Sequence, residues 1–124
     1  MQVNEILNAW TALWNGDYAI AERICAPDFT IFFGGADASG GNPADALRGG
    51  AALAAFIEGF RAERPGLTYS NVRHVADEAT GHGVSLWNAD RGDAHTGGID
   101  VFDVGPDGLV RRVWSVSAQR PVAG

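Results

Sequence analysis

The stretch GIDVFDV at residues 98–104 leads into a turn, GPDG at 105–108, and then into LVRRVWSV at 109–116. The turn combines the fixed φ of proline with the positive φ open to glycine, and it lies between two runs rich in β-branched and aromatic residues. This pattern predicts a β-hairpin. Because side chains alternate along a strand, Asp100 lies on the same face as Phe102.

If that face is concave, the Asp100 carboxyl group lies in an apolar pocket. Burial there would penalise its charged form and raise its pKa, as a general acid or a hydrogen-bond donor to a carbonyl requires. The alternative is that Asp100 pairs with a basic side chain or caps a neighbouring backbone group. The alternation pattern alone favours neither role.

The whole chain, residues 1–124, has the size and composition of one globular domain. Its formal net charge of −6 argues against nucleic acid or an anionic membrane as a partner, because both bind basic surfaces. No apolar run is long enough to span a bilayer, and the N-terminus lacks the basic segment of a signal peptide. Cys25, the single cysteine, fits a cytoplasmic protein and is expected in the core. The histidines are scattered, so no metal site is expected.

Hydrophobic periodicity and turn residues divide the chain into helices and strands. The predicted helices are 3–14, a short helix after Asp17 that includes Cys25 and is ended by Pro27, and about 50–63; the predicted strands are 29–33, 67–76, 83–91, 95–104 and 109–118. The glycine-rich residues 34–50 predict a loop that could cover a pocket entrance. The order α-α-β-α-β-β-β-β predicts an α+β fold whose helices cover one face of an antiparallel sheet.

Six short segments carry a resemblance to a known group of proteins. They are WNGDY at 14–18, APDF at 26–29, GGAAL at 49–53, IDVF at 99–102, DGLV at 107–110 and Trp114. With the element order, they make the chain similar to the SnoaL-like polyketide cyclase and ketosteroid isomerase-like members of the nuclear transport factor 2-like superfamily. The resemblance implies a cone-shaped α+β barrel, with a curved, mostly antiparallel sheet covered by three N-terminal helices. It implies little about chemistry, because this fold hosts isomerases, cyclases, hydrolases, dehydratases and binding proteins.

The catalytic groups of ketosteroid isomerase are matched at one position of three. That enzyme uses an aspartate base, with a tyrosine and a protonated aspartate as an oxyanion hole. The resemblance places the protonated aspartate at Asp100, but the base falls at Phe33 and the tyrosine falls near Ala9. Steroid-type isomerisation by that set of residues is therefore not expected. The acidic and basic cluster at 90–93, comparable to that of limonene epoxide hydrolase-like members, lies at a predicted hairpin tip and fits a solvated loop.

The turn between the third and fourth strands sets which side chains neighbour Asp100. A two-residue turn places Trp87 beside Asp100 and opposite Gly98, whose missing side chain the indole ring would cover. A slip by one residue would instead turn Leu86 and Asn88 toward the concave face. We prefer the first register because Gly-Asp suits a two-residue turn.

Aromatic side chains from helices and strands are the candidate substrate-binding residues. They are Trp10, Trp14, Phe33, Phe56, Phe60, Trp87, Phe102 and Trp114, with Val113 as the alternative to Trp114 on the last strand. Such a pocket suits a small, flat hydrophobic molecule such as an aromatic ketone. Alternatively, each of these residues belongs to the core, which is the commoner role of aromatic residues at these spacings. His95 is expected on the surface, and Tyr18 and Tyr69 have no positional support as donors.

Three functions are compatible with these features. The first is a cofactor-independent cyclase, isomerase or lyase in which Asp100 transfers a proton. The second is a ligand-binding module without chemistry, which the missing base and tyrosine favour. The third is an interaction domain, because the outer sheet face with Ile99 and Val101 is too apolar to remain in water. The resemblance assigns that face to homodimerisation.

Overall fold

The computed structural model describes residues 1–123, which fold into three α-helices and five β-strands. The helices are α1 (Val3–Trp14), α2 (Ile20–Ile24) and α3 (Gly49–Ala62), with a short 3-10 helix at Pro43–Ala46; the strands are β1 (Cys25–Phe33), β2 (Thr68–Asp77), β3 (His82–Arg91), β4 (Ala94–Val104) and β5 (Val110–Ala118). The predicted order of elements is confirmed. The hairpin predicted around the 105–108 turn is the β4–β5 pair.

The five strands form one curved sheet in the order β1-β5-β4-β3-β2. β1 runs parallel to β5, and the other three pairs are antiparallel, so the sheet is mostly antiparallel as expected. Trp87 on β3 lies opposite Gly98 on β4, which confirms the preferred register. A side chain added at Gly98 would overlap the Trp87 ring, so this glycine leaves the space that the indole occupies.

One predicted boundary is wrong. The second helix ends at Ile24 instead of including Cys25, and Pro27 lies inside β1 instead of ending a helix. β1 is an edge strand, and its register with β5 shifts between Cys25 and Thr30. Proline is tolerated at such a place because no ladder hydrogen bond needs its missing N–H group.

The core lies between the helices and the inner face of the sheet. The apolar stripe of α1, which includes Ile6, Leu7 and Leu13, is almost completely buried. Cys25 is buried as predicted, and desolvation raises the pKa of its thiol to about 12. Within residues 1–123, no helix is long and apolar enough to cross a membrane.

Candidate functional site

Asp100 lies on the inner face of β4 and its carboxylate accepts two indole hydrogen bonds. Trp10 Nε1 on α1 donates to Oδ2 at 2.9 Å, and Trp87 Nε1 on β3 donates to Oδ1 at 3.0 Å. The side chain is 4% exposed. Each indole can only donate, so the pair holds the carboxyl group in one orientation from two different elements.

The surroundings of Asp100 act on its pKa in opposite directions. Burial raises the pKa of this carboxyl group, because desolvation disfavours the charged form, and this is the largest effect. The Ser115 hydroxyl and the indoles of Trp87 and Trp10 favour the carboxylate and oppose the rise. Asp100 forms no ion pair in the described part of the chain. Pairing with a basic side chain, one of the two alternatives considered for Asp100, is therefore not found there.

Two serines flank Asp100 on the neighbouring strands. Ser85 on β3 and Ser115 on β5 are its direct cross-strand partners, so the three residues form one row across the inner face. Ser85 is 3% exposed and Ser115 is 7% exposed. Among residues 1–123, these two and Asp100 are the buried polar or charged residues.

A cavity of about 270 Å³ opens against this row. Six of the eight predicted aromatic residues line it: Trp10, Trp14, Phe33, Phe56, Phe60 and Trp87. Phe33 and Phe56 stack at 5.5 Å between ring centroids with an interplanar angle of 23°. Aromatic side chains from α1, α3, β1 and β3 therefore line the cavity, and the row across β3, β4 and β5 adds hydroxyl and carboxyl groups.

Two predicted lining residues lie elsewhere. Phe102 is on the predicted face but is completely buried, because Trp10 covers it with a perpendicular contact at 5.2 Å between centroids. Trp114 lies on the outer face of β5 with the Arg112 guanidinium 5.4 Å from its ring centre. Alternation along β5 turns Val113 into the core and Ser115 toward the cavity. Neither Trp114 nor Val113, the two candidates on the last strand, therefore lines the cavity.

Tyr69 was missed by the sequence analysis and lines the cavity. Its ring contacts Trp14 and Trp87 edge-on, each at 5.5 Å between centroids. The amide of Asn15 clamps its backbone, donating to the carbonyl at 2.9 Å and accepting from the N–H at 2.8 Å. Burial raises the pKa of Tyr69 to about 12, so the phenol keeps its proton at neutral pH.

A bulge explains why alternation along β2 did not reveal Tyr69. Asn71 pairs with Trp87 and Arg73 pairs with Leu86, so one extra residue interrupts the pattern.

The polar residues Thr11, Asn42, Ser85, Ser115 and Ser117 also line the cavity and were not predicted. Small hydroxylic residues carry no sequence pattern that separates a cavity position from an exposed one.

The remaining candidates lie where the sequence indicated. His95 is exposed, and its Nδ1 lies 2.6 Å from Asp90 Oδ1, away from the cavity. Arg91 is also exposed and donates from Nε to the Pro65 carbonyl at 3.2 Å. The glycine-rich loop reaches the cavity through Gly35 and Asn42. No group of three or more potential metal ligands occurs within residues 1–123.

Comparison with known proteins gives the family and the fold. A search of curated sequences finds no match. Among solved structures, a SnoaL-like polyketide cyclase from Agrobacterium tumefaciens is 14% identical, and the match covers 96% of this chain and 93% of that chain with a TM-score of 0.72. A SnoaL-like protein of unknown function from Burkholderia thailandensis is 20% identical, with 94% of this chain and 93% of that chain covered and a TM-score of 0.72. A protein of unknown function with a cystatin-like fold from Methylobium petroleophilum is 17% identical, with 98% of this chain and 79% of that chain covered and a TM-score of 0.78. At these identities they show the fold alone. The family model described as the SnoaL-like domain matches residues 6–113, and the chain therefore belongs to the SnoaL-like domain family.

Proposed function

We propose that the cavity binds a small, flat hydrophobic molecule with a carbonyl or enol oxygen, and that Asp100 exchanges a proton with it without a cofactor. The observation that carries this proposal is a buried carboxyl group, held by two indole donors, at the wall of an aromatic cavity. Aromatic walls favour a planar ligand, and few polar groups are needed to orient it.

Opposing influences on Asp100 suit it to acid–base chemistry. Burial favours the protonated form, which can donate to a ligand oxygen, whereas the indole hydrogen bonds stabilise the carboxylate that remains afterwards. A general acid or base works best when its two protonation states are close in free energy at the working pH. The indoles of Trp10 and Trp87 are therefore positioning residues in this proposal.

A single carboxyl group can carry the proton through each reaction in this class. As a carboxylate, Asp100 takes a proton from the carbon beside a carbonyl, and the C–H electrons form an enolate whose charge lies on oxygen. Return of that proton to another carbon gives isomerisation. Attack of the enolate carbon on a second carbonyl gives cyclisation, and Asp100 returns the proton to the new alkoxide. Loss of a group from the next carbon gives elimination, and the leaving group takes up that proton. The neutral phenol of Tyr69 in the cavity wall supplies a donor for the enolate oxygen.

The main alternative is a binding module in which Asp100 only orients the ligand. The positions that carry the base and the tyrosine in ketosteroid isomerase are occupied here by Phe33 and, approximately, Ala9. Proton transfer then depends on Asp100 alone. Binding and exchange must therefore be measured separately.

The test uses 2-tetralone, a bicyclic aromatic ketone with acidic hydrogens beside its carbonyl. Calorimetry measures binding, and proton NMR in D₂O measures exchange of those hydrogens. We expect Asp100→Asn to lower the enzyme-catalysed exchange rate by about 100-fold or more. The control is Asp103→Asn, which removes a carboxyl group on the opposite face of the same strand, where it pairs with His82 at 3.0 Å. Binding without exchange would favour the binding module, and absence of binding would refute the ligand class.

We also propose that the outer sheet face forms a homodimer. An apolar row crosses all five strands there, in the register Phe32–Trp114–Val101–Val84–Val75. Phe32 is 50% exposed and Val75 is 66% exposed. A second apolar row contains Val116, Ile99 and Leu86. An apolar face of this extent favours contact with another protein.

The charges beside this face favour a second copy of the chain as the partner. His82, Asp103 and Arg112 lie in register across β3, β4 and β5, so both signs of charge border the apolar rows. A two-fold interface brings each patch against itself, and a mixed row can pair with its own copy.

Light scattering after gel filtration tests the dimer. We expect a mass of two chains for the wild type and of one chain for Ile99→Lys, which places a charge in the apolar rows. Ala55→Lys, at an exposed position of α3, adds the same single charge and should remain dimeric. A monomeric wild type at micromolar concentration would refute the proposal.

A further inference from the structure

The row formed by Ser85, Asp100 and Ser115 has a spacing set by the sheet itself. The three residues are direct cross-strand partners, and all of them line the cavity. Side chains on adjacent strands are separated by about 4.8 Å, the distance between neighbouring backbones. The cavity therefore presents oxygen-bearing groups at a regular interval along one wall.

The two serines differ in what they bind within the protein. The Ser115 hydroxyl interacts with the Asp100 carboxyl group, as its effect on the pKa of that group indicates. In the described part of the chain, the Asp100 oxygens accept from Trp10 and Trp87, and no side-chain hydrogen bond involves the Ser85 hydroxyl. Ser85 lines the cavity, so a bound molecule can reach this hydroxyl. A ligand atom that forms a hydrogen bond with Ser85 therefore gains affinity.

We propose that Ser85 and Asp100 together bind two ligand oxygens in a 1,3 relation on a planar six-membered ring, as in a resorcinol-type ring or a cyclic 1,3-diketone. Oxygens in that relation lie about 4.8 Å apart, like side chains on neighbouring strands, whereas oxygens on adjacent ring carbons lie about 2.8 Å apart. The inference rests on the proposed function, since it names the substrate class of the same cavity. Ser85 acts here as a specificity residue and touches the ligand without taking part in proton transfer.

This arrangement also assigns the proton that Asp100 exchanges. A cyclic 1,3-diketone is bound as its enol, whose O–H proton passes to the Asp100 carboxylate and leaves the enolate, while the Ser85 hydroxyl donates a hydrogen bond to the other oxygen. The aromatic residues of the cavity, including Phe33 on β1 stacked against Phe56 on α3, then cover the ring face.

Calorimetry with three probes tests the inference under anaerobic conditions. The probes are 1,3-dihydroxynaphthalene, 2,3-dihydroxynaphthalene and 2-naphthol, which share a ring system and differ in their oxygens. We expect the wild type to bind the 1,3 isomer about three- to tenfold more tightly than the other two, as one additional neutral hydrogen bond allows. Ser85→Ala should abolish this preference and leave the affinity for 2-naphthol unchanged. Ser70→Ala, at an exposed position of β2, should retain the preference.

The outcomes separate this inference from the proposed function. If 2-naphthol binds and all three probes have equal affinities, the 1,3 specificity is overturned while the hydrophobic cavity remains. If no probe binds, both are overturned. If the preference survives Ser85→Ala, the role of Ser85 is refuted. The isomer comparison uses the wild-type protein and therefore does not depend on the folding of any variant.

Discussion

Replacing Trp87 with phenylalanine tests the indole–carboxylate contact directly. The change removes the N–H that donates to Asp100 Oδ1 at 3.0 Å and keeps an aromatic ring opposite Gly98. Trp87 is partly buried, so the packing cost is smaller than for Trp10, which is 4% exposed. The hydrogen bond should therefore dominate the effect of Trp87→Phe on stability.

The magnitude of this effect should depend on pH. A hydrogen bond to a charged group contributes about 1.5–3 kcal/mol, and a bond between neutral groups about 0.5–1.5 kcal/mol. Because the indole favours the carboxylate, its removal raises the pKa of Asp100 further. At pH values where Asp100 is protonated in the native state, we expect Trp87→Phe to lower the free energy of unfolding by the amount for a bond between neutral groups, about 0.5–1.5 kcal/mol. This loss should increase toward the value for a charged group as pH rises through the pKa of the folded protein.

Urea unfolding of the wild type and Trp87→Phe at several pH values measures the difference. Trp14→Phe is the matched control, since Trp14 lines the same cavity and its buried Nε1 has no hydrogen-bond partner within residues 1–123. Its cost should be independent of pH over the same range. A cost of Trp87→Phe that is flat or that falls with rising pH would show that the indole does not stabilise the Asp100 carboxylate.

Three further predictions concern the same region and the core. Gly98→Ala should destabilise the protein by about 1–3 kcal/mol in urea unfolding, because the added methyl group overlaps the Trp87 ring; a neutral effect would contradict the packing. Since burial raises the pKa of Asp100, the native state holds this proton more tightly than the unfolded chain. The free energy of unfolding of the wild type, relative to that of Asp100→Asn, should therefore fall as pH rises from the ordinary aspartate range through the raised pKa, by at most about 1.4 kcal/mol per pH unit. A difference between the two proteins that stays constant with pH would refute the raised pKa of Asp100. Cys25, whose pKa burial raises to about 12, should react with iodoacetamide far more slowly in the native protein than in denaturant, and equal rates would contradict its burial.

Local patterns were sufficient for the element order and for the face that carries Asp100. The apolar spacing of α1 and the turn residues at 105–108 each act within a few residues, so they are readable without the rest of the chain. The β3–β4 register was also predictable, because a two-residue turn sets it and Gly98 leaves room for Trp87. Six of the eight predicted aromatic residues line one cavity.

The predictions that were wrong or missing concern residues whose surroundings depend on a neighbouring helix or on irregular pairing between strands. Phe102 has the predicted orientation, but whether an inward side chain meets a cavity or a neighbour depends on Trp10, which comes from a helix distant in sequence. The bulge in β2 breaks the alternation between Tyr69 and the later residues of that strand, and irregular pairing allows Pro27 inside β1. Such features depend on the fit between strands, which no periodicity within one strand records.

The sequence by itself determined the fold class, the hairpin and the inward carboxyl group, because alternation, turn chemistry and helical periodicity are local properties of the chain. Only the tertiary structure decided what surrounds that carboxyl group. The donors from Trp10 and Trp87 and the flanking Ser85 and Ser115 come from α1, β3 and β5. Their approach to Asp100 depends on how the sheet curves and where α1 packs, and these distances between remote segments set the electrostatics of the site.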